Sequence, residues 1–182
     1  VRNLATTHLL DRIAHAFGEE CYEVPVGFKH ISSKMEEKNA LLGGESSGGL
    51  TIRGHIKGKD GIFAASLLIE LISKTGKSLS DLLTDIKDEF GYLYTNESDF
   101  KFSARDKARL TDKLFKQKEI PPYIYEIDRV SYMDGLKIYF KNGGWVTARF
   151  SGTEPLLRIF SEMGTQQEAD AVVEQMKNFL QI

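Results

Sequence analysis

Between Arg149 and Arg158 the chain reads RFSGTEPLLR, with two guanidinium groups bracketing two hydroxyls and a glycine. A guanidinium presents paired donors that match a phosphate edge, and Ser151 and Thr153 add hydroxyl donors. Gly152 lets the backbone adopt angles at which successive N–H groups converge on an anion. Such a cluster suits a dianionic phosphate better than a carboxylate. The Walker pattern G-x-x-x-x-G-K is absent, so this is not a nucleotide P-loop. The same residues would also build an ordinary tight turn with two exposed arginines.

A second group lies upstream, in GGESSGG over Gly43 to Gly49. Glu45 beside Ser46 and Ser47 offers acceptors and donors at short range, which sugar hydroxyls require. A phosphate would be repelled by Glu45. A flexible surface loop of the same composition would need no ligand. Lys59 precedes a helix start at KDG, a place that favours anions, and Lys57 with Lys59 would equally form a solvated charge cluster. His55 fits a satisfied loop histidine. Lys29, in VGFKHI, reads alone as a surface lysine.

The elements that would position these groups follow from periodicity. THLLDRIAHAFG places Leu9, Leu10, Ile13 and Phe17 on one helical face and stops at Gly18. CYEVPVG reads as a short strand and FKHISSKMEEKN as a helix. Asp60 caps a helix whose body, IFAASLLIELISK, is apolar nearly all round, which predicts burial on several sides. Ser78 or Ser80 caps the next helix, SLSDLLTDIKDEF, ended by Gly91. Alternating helices and short strands give an α/β layer structure.

Near Asn96 to Ser103 the character changes. After a charged helix, ARDKARLTDKLFKQK, the pattern turns to period two. YEIDRVSYM, LKIYF, WVTARF and LLRIFSEM read as four antiparallel strands, with turns at Met133–Asp134–Gly135 and Asn142–Gly143–Gly144. Thr165 and Glu168 form a capping box ahead of an amphipathic last helix. This is a small α+β domain with a four-stranded antiparallel sheet backed by helices. The boundary is placed at residue 98, giving domains 1–98 and 99–182.

With 182 residues, 41% of them hydrophobic, the chain can fill one large or two small cores. A net charge of -2 argues against a general nucleic-acid binder, although Tyr, Phe and Trp alternate with Lys and Arg in the strand-rich half. Core packing is the cheaper account of those aromatics. The lone Cys21 forms no internal disulfide, which points to a reducing cytoplasm, and reads as a small buried side chain. No run is apolar and long enough to span a bilayer. The chain begins at Val1 rather than Met and is expected to start inside a domain.

VGFKHI, GGESSGG, KDGI heading an apolar helix, and RFSGTEPLLR occur in this order. Together they resemble the C-terminal part of the α-D-phosphohexomutase family, which includes phosphoglucomutase and phosphomannomutase. The resemblance covers essentially the whole chain. It implies most of the third of four domains, a partial α/β/α layered domain with a mixed sheet, followed by the complete fourth. It implies that Glu45 and Ser47 contact hexose hydroxyls and that Lys29 and Lys59 match active-site lysines. Arg149, Ser151, Gly152 and Thr153 match the phosphate-binding loop, with Arg158 as a further phosphate contact.

The implied reaction moves a phosphoryl group between O6 and O1 of a hexose, through a phosphoserine and a bisphosphorylated sugar such as glucose 1,6-bisphosphate, with Mg2+. The fourth domain is expected to swing on substrate, hinging near residues 96 to 103. Departures stand beside the match: Ser46 replaces a residue that is often acidic, Gln or Met, and Gly49 a frequent histidine. The phosphoserine and the Asp-x-Asp-x-Asp magnesium loop are absent, so the chain alone is expected to be inactive, relying on the missing N-terminal domains as its partners. THLLDRIA and the Lys29 region look most like phosphoglucomutases, which leans to glucose phosphate. A free-standing phosphosugar-binding module and a nucleic-acid-binding second domain are the competing readings.

Overall fold

Parallel strands need long crossovers, and the first half of the chain supplies two helical ones. The computed structural model describes residues 1–152 and 154–182. Strand β1 (Arg2–Asn3) is followed by α1 (Leu9–Ala16), β2 (Glu23–Val24), α2 (Phe28–Lys38), β3 (Leu42–Gly44) and β4 (Leu50–Ile52). The sheet order is β2-β1-β3-β4, with β1 parallel to both β2 and β3, and β4 antiparallel to β3. This is the expected mixed sheet. Strand β1 has no counterpart among the expected strands.

Two interactions seat this sheet. Val24, Ile31 and Met35 form a small core under α2, with Val1, Phe28 and Ala40 against it. The other is polar. Arg2, only 2% exposed, donates bidentately to Asp11 at 2.5 and 2.9 Å and to Glu23 at 2.7 Å, tying β1 to α1 and β2. Burial works against that guanidinium's charge, but its hydrogen bonds to the Asp11 and Glu23 carboxylates prevail and raise its pKa. Cys21 is half-buried, and desolvation together with Asp11 pushes its thiol up, as befits a small packing side chain rather than a reactive one.

Gly43 permits the closest approach of α2 to the sheet. A Cβ there would lie 2.4 Å from Met35 Sδ and 2.5 Å from Ile31 Cγ2. Gly43→Ala is therefore expected to cost about 1–3 kcal/mol by overpacking, read as a lowered urea midpoint. An unchanged midpoint would mean that α2 is not seated on β3.

Helix α3 (Gly61–Thr75) starts as expected, with Asp60 accepting from the Ile62 and Phe63 amides, and Gly76 ends it in the left-handed region. Helix α4 (Leu79–Phe90) starts at Ser78 through a reciprocal bond with Asp81, which decides between the two serines. The expected burial of α3 on several sides is not met. None of its residues is buried, and Ile62 and Ile69 are 84% and 64% exposed. Within residues 1–92 its apolar circumference is covered only in part, as where His55 stacks on Phe63.

The chain divides into two compact units, Val1–Tyr92 and Leu93–Ile182. The second opens with β5 (Tyr94–Lys101), then α5 (Ala104–Thr111), whose last turn widens to a π-turn over Asp112–Lys116. Strands β6 (Ile127–Ser131), β7 (Leu136–Phe140), β8 (Trp145–Phe150) and β9 (Leu156–Met163) precede α6 (Gln166–Leu180). They form an antiparallel sheet in the order β5-β9-β8-β7-β6. The four expected strands are present, and β5 makes a fifth. It pairs with β9 through eight residues, Tyr94 to Lys101. The expected boundary at residue 98 therefore falls inside a strand, and most of the expected hinge at 96–103 is committed to a ladder.

One face of this sheet carries the core. Leu136, Ile138, Val146, Ala148, Leu157 and Ile159 point to α5 and α6, where Leu110, Leu114, Val172, Val173 and Met176 close over them. Arg149 and Arg158 belong to the alternate positions, on the opposite face of the strands. Thr165 caps α6 by accepting from the Glu168 amide, and its hydroxyl meets Glu168 Oε2 at 3.0 Å, so of the expected capping box the Thr165 half is seen. No helix among the described residues is long and apolar enough to cross a membrane.

Candidate functional site

The chemistry-bearing residues fall into one cluster in each unit. In the first, GGESSGG is the hairpin joining β3 to β4. It is closed by Glu45 N–H to Gly49 O at 2.9 Å and Gly48 N–H to Glu45 O at 2.9 Å. Gly48 sits at φ +88°, a region that favours glycine.

The Glu45 side chain turns inward, 5% exposed. Its Oε1 accepts from Asn3 Nδ2 at 3.0 Å and from the Gly27 amide at 3.1 Å, and its Oε2 meets Lys59 Nζ at 2.9 Å. Asn3 Oδ1 in turn accepts from the Ala5 amide and the Thr6 hydroxyl, both at 2.9 Å, and Thr6 Oγ1 accepts from the Ser46 amide at 3.0 Å. One carboxylate thus joins the end of β1, the start of α2, the hairpin and the segment leading into α3. Burial alone would push the Glu45 carboxyl up. Bonds from Lys59, Asn3 and the Gly27 amide outweigh it and hold the group below its ordinary value of 4.5.

That direction fixes a pH dependence. A depressed carboxyl stabilises the fold fully above its ordinary value, and the contribution is lost as pH falls through the depressed one. Amide exchange at Gly27 and Ser46 is therefore expected to stay protected down to about pH 4.5 and to accelerate below it. Protection that survives full protonation of Glu45 would contradict this.

Lys59 is half-exposed, and its stem crosses Gly49 so closely that a Cβ there would lie 2.6 Å from Lys59 Cδ. A side chain at position 49 would push the lysine aside. Ser47, at the hairpin tip, and Lys29, in the first turn of α2, are exposed, and neither side chain has a hydrogen-bond partner among the described residues. Lys59 and Glu45 are brought together; Lys29 and Ser47 stand apart as open groups. His55 is held internally, with Nε2 at 3.0 Å from Asp60 Oδ2 and its ring stacked at 3.8 Å on Phe63. Lys57 pairs with Glu36 on the surface at 2.6 Å. Asn3, Thr6 and Gly27 were not marked by the sequence, and nothing in their spacing would have marked them.

In the second unit the loop between β8 and β9 carries Ser151, Gly152 and Thr153. Thr153 lies outside the described residues. Ser151 N–H donates to Leu156 O at 2.8 Å, and Ser151 Oγ accepts from the Glu154 amide at 3.3 Å. The Ser151 amide therefore closes the loop, while the Gly152 amide has no acceptor among the described residues. Gly152 does not have a positive φ, and a Cβ there would meet nothing within 4 Å. Neither strain nor crowding explains a glycine in the loop as it stands.

Arg149 and Arg158 are direct cross-strand partners on β8 and β9. Arg149 Nε donates to Asp134 Oδ2 at 2.9 Å. Arg158 Nη2 lies 3.2 Å from Glu154 Oε2, and its Nε lies 3.7 Å from Asp99 Oδ1, beyond hydrogen-bond reach. Like charges opposite one another destabilise a sheet. The carboxylates of Asp134, Asp99 and Glu154 offset this pair, and an anion placed between the guanidiniums would offset it further. Among the described residues, no three His, Cys, Asp or Glu side chains cluster so as to hold a metal ion.

Residues 1–90 match the family model described as phosphoglucomutase/phosphomannomutase, alpha/beta/alpha domain III, and residues 104–179 the one described as the C-terminal domain of the same family. A phosphoglucomutase/phosphomannomutase of Thermococcus kodakarensis is 32% identical over 96% of this chain, which covers 36% of that protein. A probable phosphoglucosamine mutase of Methanothermobacter thermautotrophicus is 30% identical over 89% of this chain and 34% of its own length. Among solved structures, a putative phosphomannomutase from Thermus thermophilus superposes with a TM-score of 0.75 at 26% identity, over all of this chain and 36% of that one. The chain thus spans about a third of the length of the relatives it matches. With both of its units matched in order, it belongs to the α-D-phosphohexomutase family and carries that family's third and C-terminal domains.

Proposed function

We propose that this chain is the sugar-recognition and phosphate-anchoring part of an enzyme that interconverts hexose 6-phosphate and hexose 1-phosphate, with glucose phosphate as the preferred substrate. The observation that carries the reading is the cross-strand pair Arg149 and Arg158, beside a loop whose Gly152 amide has no acceptor among the described residues. A mutase of this kind handles a sugar with a phosphate at either end. The end that does not react needs a fixed anchor, and guanidiniums on paired strands of a packed sheet supply one.

The first unit's cluster fits the ring. Ser47 offers a hydroxyl and Lys29 an ammonium, both exposed, and Lys59 adds a cation braced by Glu45. Its inward carboxylate makes Glu45 a brace for Lys59 and the hairpin as well as a candidate hydroxyl acceptor. A hexose turned end for end presents similar equatorial hydroxyls, so one short hairpin serves both orientations.

The transfer itself, through a phosphoserine and glucose 1,6-bisphosphate, is assigned to the rest of the polypeptide. Magnesium would there neutralise charge on the transferring group. This chain holds no Asp-x-Asp-x-Asp and no clustered triad of ligands among its described residues, and none of its groups is given a role toward the metal. Alone it is expected to show no turnover.

Calorimetric titration of the 182-residue chain with glucose 6-phosphate, mannose 6-phosphate, glucosamine 6-phosphate and free glucose tests the reading. Phosphate esters are expected to bind, glucose 6-phosphate most tightly, and free glucose at least about tenfold more weakly. Equal affinity for free glucose and its phosphate would remove the anchor. Strongest binding of glucosamine 6-phosphate would move the assignment to the class of the Methanothermobacter relative.

A further inference from the structure

We propose that Asp134 is a positioning residue for phosphate capture, holding the Arg149 guanidinium in the one orientation that presents its outer edge to the anion. The inference rests on the anchoring role proposed for Arg149 and Arg158.

The two arginines belong to a row of charges that runs across the sheet. Asp99 on β5 is the ladder partner of Arg158 on β9, and Arg158 is the partner of Arg149 on β8. Asp134 lies in the turn ahead of β7, on the far side of Arg149. The row therefore reads acid, base, base, acid, with the two cations innermost. Only Asp134 makes a short bond within this row, at 2.9 Å to Arg149 Nε; Asp99 lies 3.7 Å from Arg158.

The bond to Nε matters because of guanidinium shape. Three nitrogens lie in one plane, so an acceptor fixed at Nε sets the rotation of the whole fork. Both terminal nitrogens of Arg149 have no acceptor among the described residues, while its side chain is only 18% exposed. Without this brace the guanidinium would sample more rotamers and lose that freedom on binding.

The turn that carries Asp134 is itself pinned. Gly135 sits at φ +86°, and a Cβ there would lie 2.6 Å from Ala148 O and 3.0 Å from Arg149 Cα. The Asp-Gly pair thus presses the turn onto β8 at the residue that Asp134 must reach. In the sequence this pair reads only as a turn signal.

The sign of the effect separates positioning from simple electrostatics. Asp134 is a negative charge beside a proposed anion site. If it acted only through its charge, removing it would tighten phosphate binding. If it positions Arg149, removing it weakens binding. The test measures inorganic phosphate and glucose 6-phosphate binding calorimetrically in the wild-type chain and in Asp134→Ala, Asp134→Asn and Arg149→Ala. The Arg149 Nε–H resonance is followed by NMR, and circular dichroism checks the fold.

Asp134→Ala is expected to bind about tenfold more weakly, with the Nε–H exchanging freely. Asp134→Asn, which keeps an acceptor without the charge, is expected to stay within about threefold of wild type and to keep that resonance. Should the alanine variant not fold, the asparagine variant decides alone: a lost Nε–H signal with unaltered phosphate affinity overturns the proposal. Unchanged or tighter binding by a folded Asp134→Ala, with Arg149→Ala impaired, overturns positioning and leaves the anchor standing. Wild-type affinity in Arg149→Ala overturns both.

Discussion

Arg149→Ala is expected to weaken hexose phosphate binding by about ten- to a hundredfold, the equivalent of losing a charge-assisted contact of roughly 1.5–3 kcal/mol. Two effects act in the same direction. The paired donors are gone, and the Asp134 carboxylate, which bonds to Arg149 Nε at 2.9 Å, loses that cation while staying beside the anion. Arg149→Lys is expected to recover only part of the affinity, since an ammonium keeps the charge and loses the planar fork. Folding is expected to change little, because Arg149 lies on the face of β8 opposite the apolar core. Calorimetry with glucose 6-phosphate checks the binding and a thermal melt the fold. Wild-type affinity in the alanine variant would take Arg149 out of the site.

Glu45→Ala is expected to cost about 2–4 kcal/mol of stability in the first unit. The carboxylate is 5% exposed and takes three donors, from Asn3, Gly27 and Lys59. Lys59 can turn to water, since it is half-exposed, and so adds little to the cost. The Asn3 amide and the Gly27 N–H cannot leave so easily and stay behind without their acceptor. Glu45→Gln keeps one acceptor oxygen and is expected to cost about half as much, while freeing Lys59. Urea unfolding of the two variants, with amide exchange at Gly27, measures this. A cost below about 0.5 kcal/mol would show that the hairpin does not depend on the carboxylate.

The order of these two effects bears on how much the sequence revealed. Period-two alternation placed β6, β7, β8 and β9, because each alternates between an apolar core face and a second face. It missed β5, whose sequence YTNESDFK is polar on both faces over Asn96 to Asp99 and is held by its ladder to β9. The expected boundary at residue 98 falls inside β5 for the same reason. Strand β1 is two polar residues long, and its burial depends on Arg2 meeting Asp11 and Glu23, a pairing that hydropathy does not register.

Helix α3 shows the converse. An all-round apolar pattern reports a demand for burial and does not say what meets it. Residues 1–92 do not meet it, in a chain that spans about a third of the length of its relatives. At the sites, residue type and spacing marked Glu45, Ser47, Arg149 and Arg158, but orientation was out of reach. Glu45 points inward, because Asn3 and Gly27 offer it donors from distant segments. Asp134 read as a turn residue, because only the register between β7 and β8 brings it beside Arg149.

The most direct test of the phosphate anchor is an NMR titration of the 182-residue chain with inorganic phosphate and then with glucose 6-phosphate. The backbone amides of Ser151 and Gly152 and the Nε–H groups of Arg149 and Arg158 are expected to shift saturably with either ligand. The amides of Glu45 to Gly49 are expected to respond to the sugar phosphate alone. Silence at residues 149 to 158 in the presence of both ligands would contradict the account at its centre.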